Sequence, residues 1–413
     1  MALAEGTVWE IRTTGSQVNG GGFYNRSPGT SVDYSQQDAA QLTVTDLATD
    51  GAGTGLSSVT GGFTAAMVGN IVHITGGTLT AGWYEITAYT DTNNVTIDRS
   101  AGLSKTGGTG NVGGAWKYEG TLNAEFFTAI PMSSHVWIQA GTHTGSESTT
   151  VPAGKVSKPP LHVEGYKTVR GDNPTGDDRP LINLGNTWFQ IGGYTKATNL
   201  RFTGTTTYVV SVKTYGVAIN IKVVNTSEMI DYAAFYTSDV GACCVKCEGE
   251  AAHGIAFQTG SASGDAWHLY SCYAHDSVTG IQAGGTNAQV IGCIVDTCTT
   301  GITMISNATL INNTIYNCTN GVSLTAQDYY GVALNNIITA CTNGMTTTAP
   351  YAESGFRDYN CLNCTNNYVN FTGGPNDITE DPLLTDPANK DFTLGTGSPC
   401  FASGLTIDAS VGL

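Results

Sequence analysis

Ile311-Asn312-Asn313-Thr314-Ile315-Tyr316-Asn317-Cys318-Thr319-Asn320-Gly321-Val322 decides the fold, because five of its positions recur one coil earlier and one coil later. Gly254, Gly280, Gly301, Gly321 and Gly344 align at successive intervals of 26, 21, 20 and 23 residues. Each is read as a turn position, followed by an apolar residue: Ile255, Ile281, Ile302, Val322 and Met345. Ile315 stands in a column with Ala274, Val295 and Ile338. Parallel columns run through Leu269, Val290, Leu310 and Ala333, and through Ala283, Met304, Leu324 and Thr347. Irregular periods in the twenties with one apolar position per coil describe a solenoid whose turns vary while its strands stay in register. Residues alternate faces along a strand, so each column becomes a continuous inward stack once parallel strands pair from coil to coil.

Two polar columns complete the pattern. Cys272, Cys293, Asn313 and Asn336 follow one another at 21, 20 and 23 residues. An Asn there bonds its amide to the Asn of the next coil and to bend backbone, satisfying groups that burial would orphan. Cys298, Cys318, Cys341 and Cys364 each lie three residues before the turn position. Thiols stacked at the strand spacing of about 4.8 Å pack as small hydrophobes; a disulfide between coils also fits that distance, but free thiols are favoured. The 11 cysteines are an odd number in a chain too large to depend on bridges. Cys243, Cys244 and Cys247 have no His-Cys pair at finger spacing, so no metal and no other cofactor is expected.

Composition agrees with an all-β chain. The 413 residues hold 53 Gly and only 17 Lys and Arg, leaving little material for amphipathic surface helices. A solenoid of this length is reasonable because each coil extends the core lengthwise. The net charge of −16 argues against nucleic acid, whose phosphates need clustered Lys and Arg, and against anionic membrane surfaces. No stretch approaches the roughly twenty apolar residues of a spanning helix. The opening Met-Ala-Leu-Ala-Glu-Gly lacks the basic segment and apolar run of a secretory signal, so none is expected here.

Along the chain, residues 1–40 are polar, with Val8-Trp9-Glu10-Ile11-Arg12 as a strand, and are expected to cap the open end of the solenoid. Residues 41–117 show short alternating strands such as Ile71-Val72-His73-Ile74 and Trp83-Tyr84-Glu85-Ile86 between Gly-rich turns, a small β-module. Residues 118–371 are expected to be the solenoid proper. Residues 372–413 form an irregular tail covering the far end.

Asn312-Asn313-Thr314-Ile315 followed by Asn320-Gly321-Val322 resembles the coils of right-handed parallel β-helix proteins of the pectin-lyase-like superfamily. Val136-Trp137-Ile138-Gln139-Ala140-Gly141-Thr142 is similar to that family's opening strand, and Gly165-Tyr166 with Arg170-Gly171-Asp172 and Arg179-Pro180 to the turns after it. Asp381-Pro382-Leu383-Leu384, Asp391-Phe392-Thr393-Leu394 and Ser398-Pro399-Cys400 resemble its closing segment. The resemblance implies an all-β fold: a right-handed parallel β-helix with a small N-terminal β-module and capping segments. It says little of activity, since the superfamily holds lyases, hydrolases, tailspikes and inert structural proteins. The run Phe63 to Val72 before the Trp83 strand resembles a module of tailed-phage virion proteins. That resemblance implies a virion component made in the host cytoplasm, a homo-trimer, partnered by portal, tail or capsid proteins and by host surface polysaccharide.

Chemistry is sought first in Glu248, Glu250, His253, Asp265, His268, His275 and Asp276, a charged patch in a sparsely charged chain. Glu248, Glu250, Asp265 and Asp276 are the candidate catalytic carboxylates, with Asp296 expected near Asp276. Two carboxylates about 5–9 Å apart would support glycoside hydrolysis. Trp267, Tyr270, Tyr273 and His275 are the candidate sugar-binding residues, since exposed rings stack on sugar faces. The plainer alternative is that these are solvated or laterally packed side chains. Lyase chemistry ranks below hydrolysis, because Arg201, Lys213, Lys222 and Lys246 are scattered and no Asp-rich calcium loop is present. A non-catalytic structural and adhesive role is favoured, a polysaccharide depolymerase second, and a cell-surface adhesin third.

Overall fold

A computed structural model describes residues 3–404 apart from positions 121–122, 155–156, 238–239, 261–266, 286, 306, 326–330, 348–354, 371 and 402. The fold is almost entirely β, a parallel β-solenoid together with a closed six-stranded barrel. Among the described residues the one α-helix is Asn123–Ala129, and no helix is long and apolar enough to cross a membrane. Two compact units are distinguished by their internal contacts.

The first unit comprises Met1–Gly185 and Gly192–Arg201. Its barrel joins Leu42–Thr49, Gly55–Ser57, Asn94–Ile97, Gly82–Asp91, Ile71–Gly76 and Gly108–Val112, all paired antiparallel. Alternation buries Val44, Leu56, Ile74, Ile86, Val95 and Val112 inside it, and closure leaves no free strand edge. The coil strands of this unit begin with Val8–Ile11, which pairs in parallel with His135–Gln139 and carries Gly22–Phe23 antiparallel on its other side. His135–Gln139 pairs in turn with Leu161–Tyr166, and that strand with Thr195–Thr198. An aromatic cluster ties the parts together: Trp116 stacks on helix residue Phe126 at 4.5 Å, Trp9 meets the same ring edge-on at 5.4 Å, and barrel residue Trp83 lies 5.5 Å from Trp116.

The second unit comprises Asn186–Ile191 and Phe202–Leu413. Three parallel sheets run through it. The first contains Val217–Ile219, Cys243–Val245, His268–Tyr270, Gln289–Ile291, Thr309–Ile311, Val332–Leu334 and Phe356–Asp358. The second contains Lys222–Asn225, Glu248–Ala251, Tyr273–His275, Ile294–Asp296, Thr314–Tyr316, Ile337–Thr339 and Cys361–Asn363. The third runs from Phe189–Ile191 through Ala233–Thr237, Thr279–Ala283 and Asn320–Leu324 to Asn366–Val369. The columns read from the sequence are the observed registers: Leu269↔Val290↔Leu310↔Ala333, Ala274↔Val295↔Ile315↔Ile338 and Ala283↔Met304↔Leu324↔Thr347.

One alignment is corrected. Ile255 pairs with Thr279, and Phe257, not Ile255, stands in the column of Ile281, with Phe235 stacked on it at 4.8 Å. The 26-residue interval hides a slip of two positions, which preserves the side-chain face and so leaves the apolar pattern intact. Of the aligned glycines only Gly254 lies in a turn, its N donating to the Ala251 carbonyl at 2.8 Å. Gly280, Gly301, Gly321 and Gly344 sit inside strands, and none has a left-handed φ. A Cβ on Gly321 would lie 2.4 Å from Ile338 Cγ2 and 2.6 Å from the Gly344 carbonyl oxygen, so close approach of the next coil is what demands glycine. Gly321→Val is therefore expected to destabilise by about 1–3 kcal/mol through overpacking, read as a lowered thermal midpoint. An unchanged midpoint would show that the coils can spread.

The bend between the first two sheets is made by single left-handed residues, among them Asn220, Lys246, Ser271, Asn312 and Asn335. Each is followed by a buried residue: Ile221, Cys247, Cys272, Asn313 and Asn336 in turn. Asn313 donates from both N and Nδ2 to Asn336 Oδ1, and Asn336 does the same to Asn360 Oδ1. Asp377 caps the ladder by accepting from Asn360 N at 2.7 Å. All eleven cysteines are free, and Cys298, Cys318 and Cys341 donate to the carbonyl two residues earlier. In the tail, Ile378 pairs with Cys361. The hairpin Leu384–Asp386 with Asp391–Leu394 lies along the second sheet, where Phe392 packs against Tyr273 and Tyr316 at 6.3 and 5.8 Å.

Candidate functional site

On the second sheet the outward row one residue from the Ala274 column holds Lys222, Glu248 and Tyr273, and the row beyond holds Val224, Glu250 and His275. Adjacent coils thus bring residues about 25 positions apart to neighbouring places on one face. Lys222 Nζ donates to Glu248 Oε1 at 2.6 Å, and His275 Nε2 lies 3.1 Å from the same oxygen. His275 Nδ1 is 2.8 Å from Asp276 Oδ2. The imidazole is nearly buried between two carboxylates, one at each ring nitrogen.

Charge follows from that geometry. Burial opposes ionisation of Glu248, but the hydrogen bonds from His275 and Lys222 outweigh it and hold its carboxyl at about 2. Burial alone would lower His275, yet the two carboxylates raise it above its ordinary value. Glu248 therefore stays ionised across the working range, whereas a general acid for glycoside cleavage needs a raised value. The linkage has two limbs. Stability from Glu248 is present above its unfolded value of 4.5 and is lost as pH falls towards about 2. Stability from His275 is present below 6.5 and is lost as pH rises through its elevated folded value. The cluster is expected to contribute most between pH 4.5 and 6.5. Unfolding midpoints measured against pH should show both limbs flattened in Glu248→Gln; profiles that stay parallel to wild type would remove this account.

The other sequence candidates are placed as follows. Asp265 lies outside the described residues. Glu250 is partly exposed beside His275 in register. Trp267 is 1% exposed, with Nε1 donating to the Gly284 carbonyl at 2.7 Å, so its ring belongs to the core and has no face for a sugar. Tyr270 is half-buried, stacked on His268 and donating to Gln289 Oε1 at 2.8 Å. Tyr273 stacks on His275 at 4.5 Å and donates to Asp296 Oδ2 at 3.2 Å. Asp276 N does reach the Asp296 carbonyl at 3.3 Å, so their main chains are neighbours. The Asp296 carboxylate is nevertheless buried and taken up by Lys390, Tyr273 and Thr297. The carboxylates that sequence alone suggested as catalytic are, where described, mostly bound into ion pairs.

A feature the sequence reading missed lies beside Asp276. A shallow groove of about 440 Å³ is lined by Asp276, Thr297, Thr299, Asn317, Thr319 and Thr342. All six are exposed, while Ser277, Cys298, Cys318 and Cys341 between them are buried. The stacking of coils repeats a hydroxyl or amide at each step of this row. The signal is the Thr-Cys-Thr, Asn-Cys-Thr and Ala-Cys-Thr triplets around the cysteine column, whose outer residues flank each buried thiol.

No protein-family model and no curated protein sequence matches the chain. Solved structures similar to it include ORF18 of Geobacillus virus E2, at 12% identity and TM-score 0.33, covering 55% of this chain and 52% of that one. They also include the tailspike protein gp49 of Pseudomonas phage LKA1, at 12% identity and TM-score 0.25, covering 83% and 64%. A third is the catalytic domain of a GH87 alpha-1,3-glucanase, at 10% identity and TM-score 0.21, covering 87% and 89%. The chain spans about half the length of the first of these and under two thirds of the second.

Proposed function

We propose that this chain is a structural and adhesive component of a phage particle, presenting one lateral face of its β-helix to host surface glycan. The observation that carries the adhesive part is the exposed row Thr297, Thr299, Asn317, Thr319 and Thr342 beside Asp276. Hydroxyl and amide groups repeated coil by coil match the repeated hydroxyls of an extended polysaccharide, and they offer both donors and acceptors. The particle context rests on the resemblance of residues 63–83 to a module of tailed-phage virion proteins. Trimeric assembly and partnership with portal, tail or capsid proteins belong to the same proposal. Binding without cleavage is supported by the ion pairs that occupy Glu248 and Asp296: the Glu248 carboxyl, held at about 2 by His275 and Lys222, stays ionised and has no proton to give a leaving group.

The test incubates the full chain with a panel of bacterial surface polysaccharides, following both binding and new reducing ends. The expected result is binding with no cleavage, weakened about tenfold by Thr299→Val with Thr319→Val, as losing one or two hydrogen bonds implies. New reducing ends that vanish in Glu248→Gln or Asp276→Asn would make the chain a depolymerase instead. A folded protein that binds no polysaccharide would leave a purely structural role.

A further inference from the structure

Within the first unit, His135 on His135–Gln139 pairs in register with His162 on Leu161–Tyr166, and Glu164 follows two residues on along the same face. His135 Nε2 lies 3.0 Å from Glu164 Oε2, and His162 Nδ1 lies 3.5 Å from the same oxygen. The three ligand atoms all fall within 4.8 Å of one another. Among the described residues this is the one such grouping of His, Cys, Asp or Glu. From the sequence no metal is expected, since its cysteines lack finger spacing; the histidines are 27 positions apart and meet only because one coil separates them.

We propose that His135, His162 and Glu164 bind a zinc-class divalent ion. Two imidazoles and one carboxylate form a borderline donor set, which suits zinc, cobalt or nickel and not the all-oxygen coordination of calcium or magnesium. Tetrahedral ligands at about 2.0–2.2 Å from zinc stand about 3.3 Å apart, close to the two observed separations. His135 Nε2 is buried from water and, although 3.0 Å from Glu164, lacks the alignment of a hydrogen bond with it. That offset is what a lone pair aimed at a shared ion between the two would show.

The surroundings hold the ligands in place. His162 Nε2 is 2.8 Å from Thr198 Oγ1, which leaves Nδ1 turned towards Glu164. Trp137 stacks on the His135 ring at 3.9 Å and 11°, fixing its plane. Partners of this kind orient ligating imidazoles and raise affinity. Lys196, paired with His162 on the next strand, is the nearby cation that works against the ion, and it tempers affinity without occupying the ligand positions. Three protein ligands leave a fourth position open, and with side-chain exposures of 29%, 19% and 11% the cluster is within reach of solvent or of an oxygen ligand. A bound ion would also staple two adjacent coil strands.

The test titrates the metal-free full chain with zinc by calorimetry and with cobalt by visible absorption. One ion per chain and the intense d–d bands of a four- or five-coordinate cobalt centre are expected. His162→Gln and Glu164→Gln should each weaken binding at least tenfold, and Thr198→Val by a smaller factor, while far-ultraviolet circular dichroism stays native. The thermal midpoint of wild type should rise with zinc and that of Glu164→Gln should not. Absence of stoichiometric binding, or binding undiminished in folded His162→Gln and Glu164→Gln, would overturn the proposal and leave a histidine–carboxylate ion pair.

Discussion

Arg170→Ala is expected to destabilise the first unit by about 3–5 kcal/mol, the usual cost of leaving one partner of a buried ion pair uncompensated. The Glu10 side chain is fully buried. It accepts from Arg170 Nε at 2.7 Å, from Arg12 Nε at 3.0 Å and from the Tyr166 hydroxyl. Arg170 also holds Asp33 Oδ2 at 2.9 Å and Ser35 Oγ at 3.1 Å, so one guanidinium fastens the strand Val8–Ile11 and the loop after it to the turn following Leu161–Tyr166. Removing it leaves Glu10 Oε2 unpaired where water cannot reach it and takes the guanidinium from Asp33. The paired change Glu10→Gln with Arg170→Met should recover most of the loss, because a buried ion pair contributes little beyond a well-packed neutral pair. Denaturant unfolding followed by tryptophan fluorescence reads this directly, since Trp9 sits on the affected strand and is fully buried. With two compact units the transition need not be two-state, so the phase that shifts in Arg170→Ala is the one to fit. A loss under about 1 kcal/mol in Arg170→Ala would mean that Arg12 and Tyr166 suffice.

That network shows where sequence reading stops. Arg170 and Glu10 are 160 positions apart and carry no periodic signal. The apolar columns are legible because inward positions repeat once per coil and nearly all stay apolar. Such a pattern survives variable turns and even a slip of two residues, so it does not by itself fix the exact pairing, as Ile255 and Phe257 show. Outward positions are under no such constraint, so their partners are unreadable until the register is fixed. Glu248 looked like a free carboxylate in sequence; its partner Lys222 is one coil back at 26 residues and becomes visible only once the coil length is known locally. His135 and His162 pair by the same rule, but they lie before residue 254, outside the stretch in which the repeat is evident. Trp267 misleads for the opposite reason: an aromatic residue among charged ones suggests exposure, while its ring is buried and its Nε1 donates to the Gly284 carbonyl.

Asn336→Ala should cost about as much as the Arg170 change, by a different route. The side chain is 1% exposed and serves four hydrogen bonds. It accepts from Asn313 N at 3.0 Å and from Asn313 Nδ2 at 2.9 Å, and its own Nδ2 donates to the Leu310 carbonyl at 3.1 Å and to Asn360 Oδ1 at 3.0 Å. Alanine leaves Asn313 N and one amide hydrogen of Asn313 unpaired in the interior. At about 1–3 kcal/mol for each orphaned group, and with some relaxation, the expected loss is about 3–5 kcal/mol. Asn336→Asp tests the sign of the effect, since a carboxylate still accepts from Asn313 but can no longer donate to Leu310 and brings a buried charge. Its loss should equal or exceed that of alanine. Asn336→Cys should be milder, because Cys293 already fills this column, its Sγ 3.6 Å from the carbonyls of Leu269 and Ile291. Thermal midpoints of the three variants order them, and hydrogen exchange at the Asn313 amide reports the local opening. Equal midpoints for alanine and wild type would mean that water enters the bend and replaces the amide, and the ladder would then contribute register without stability.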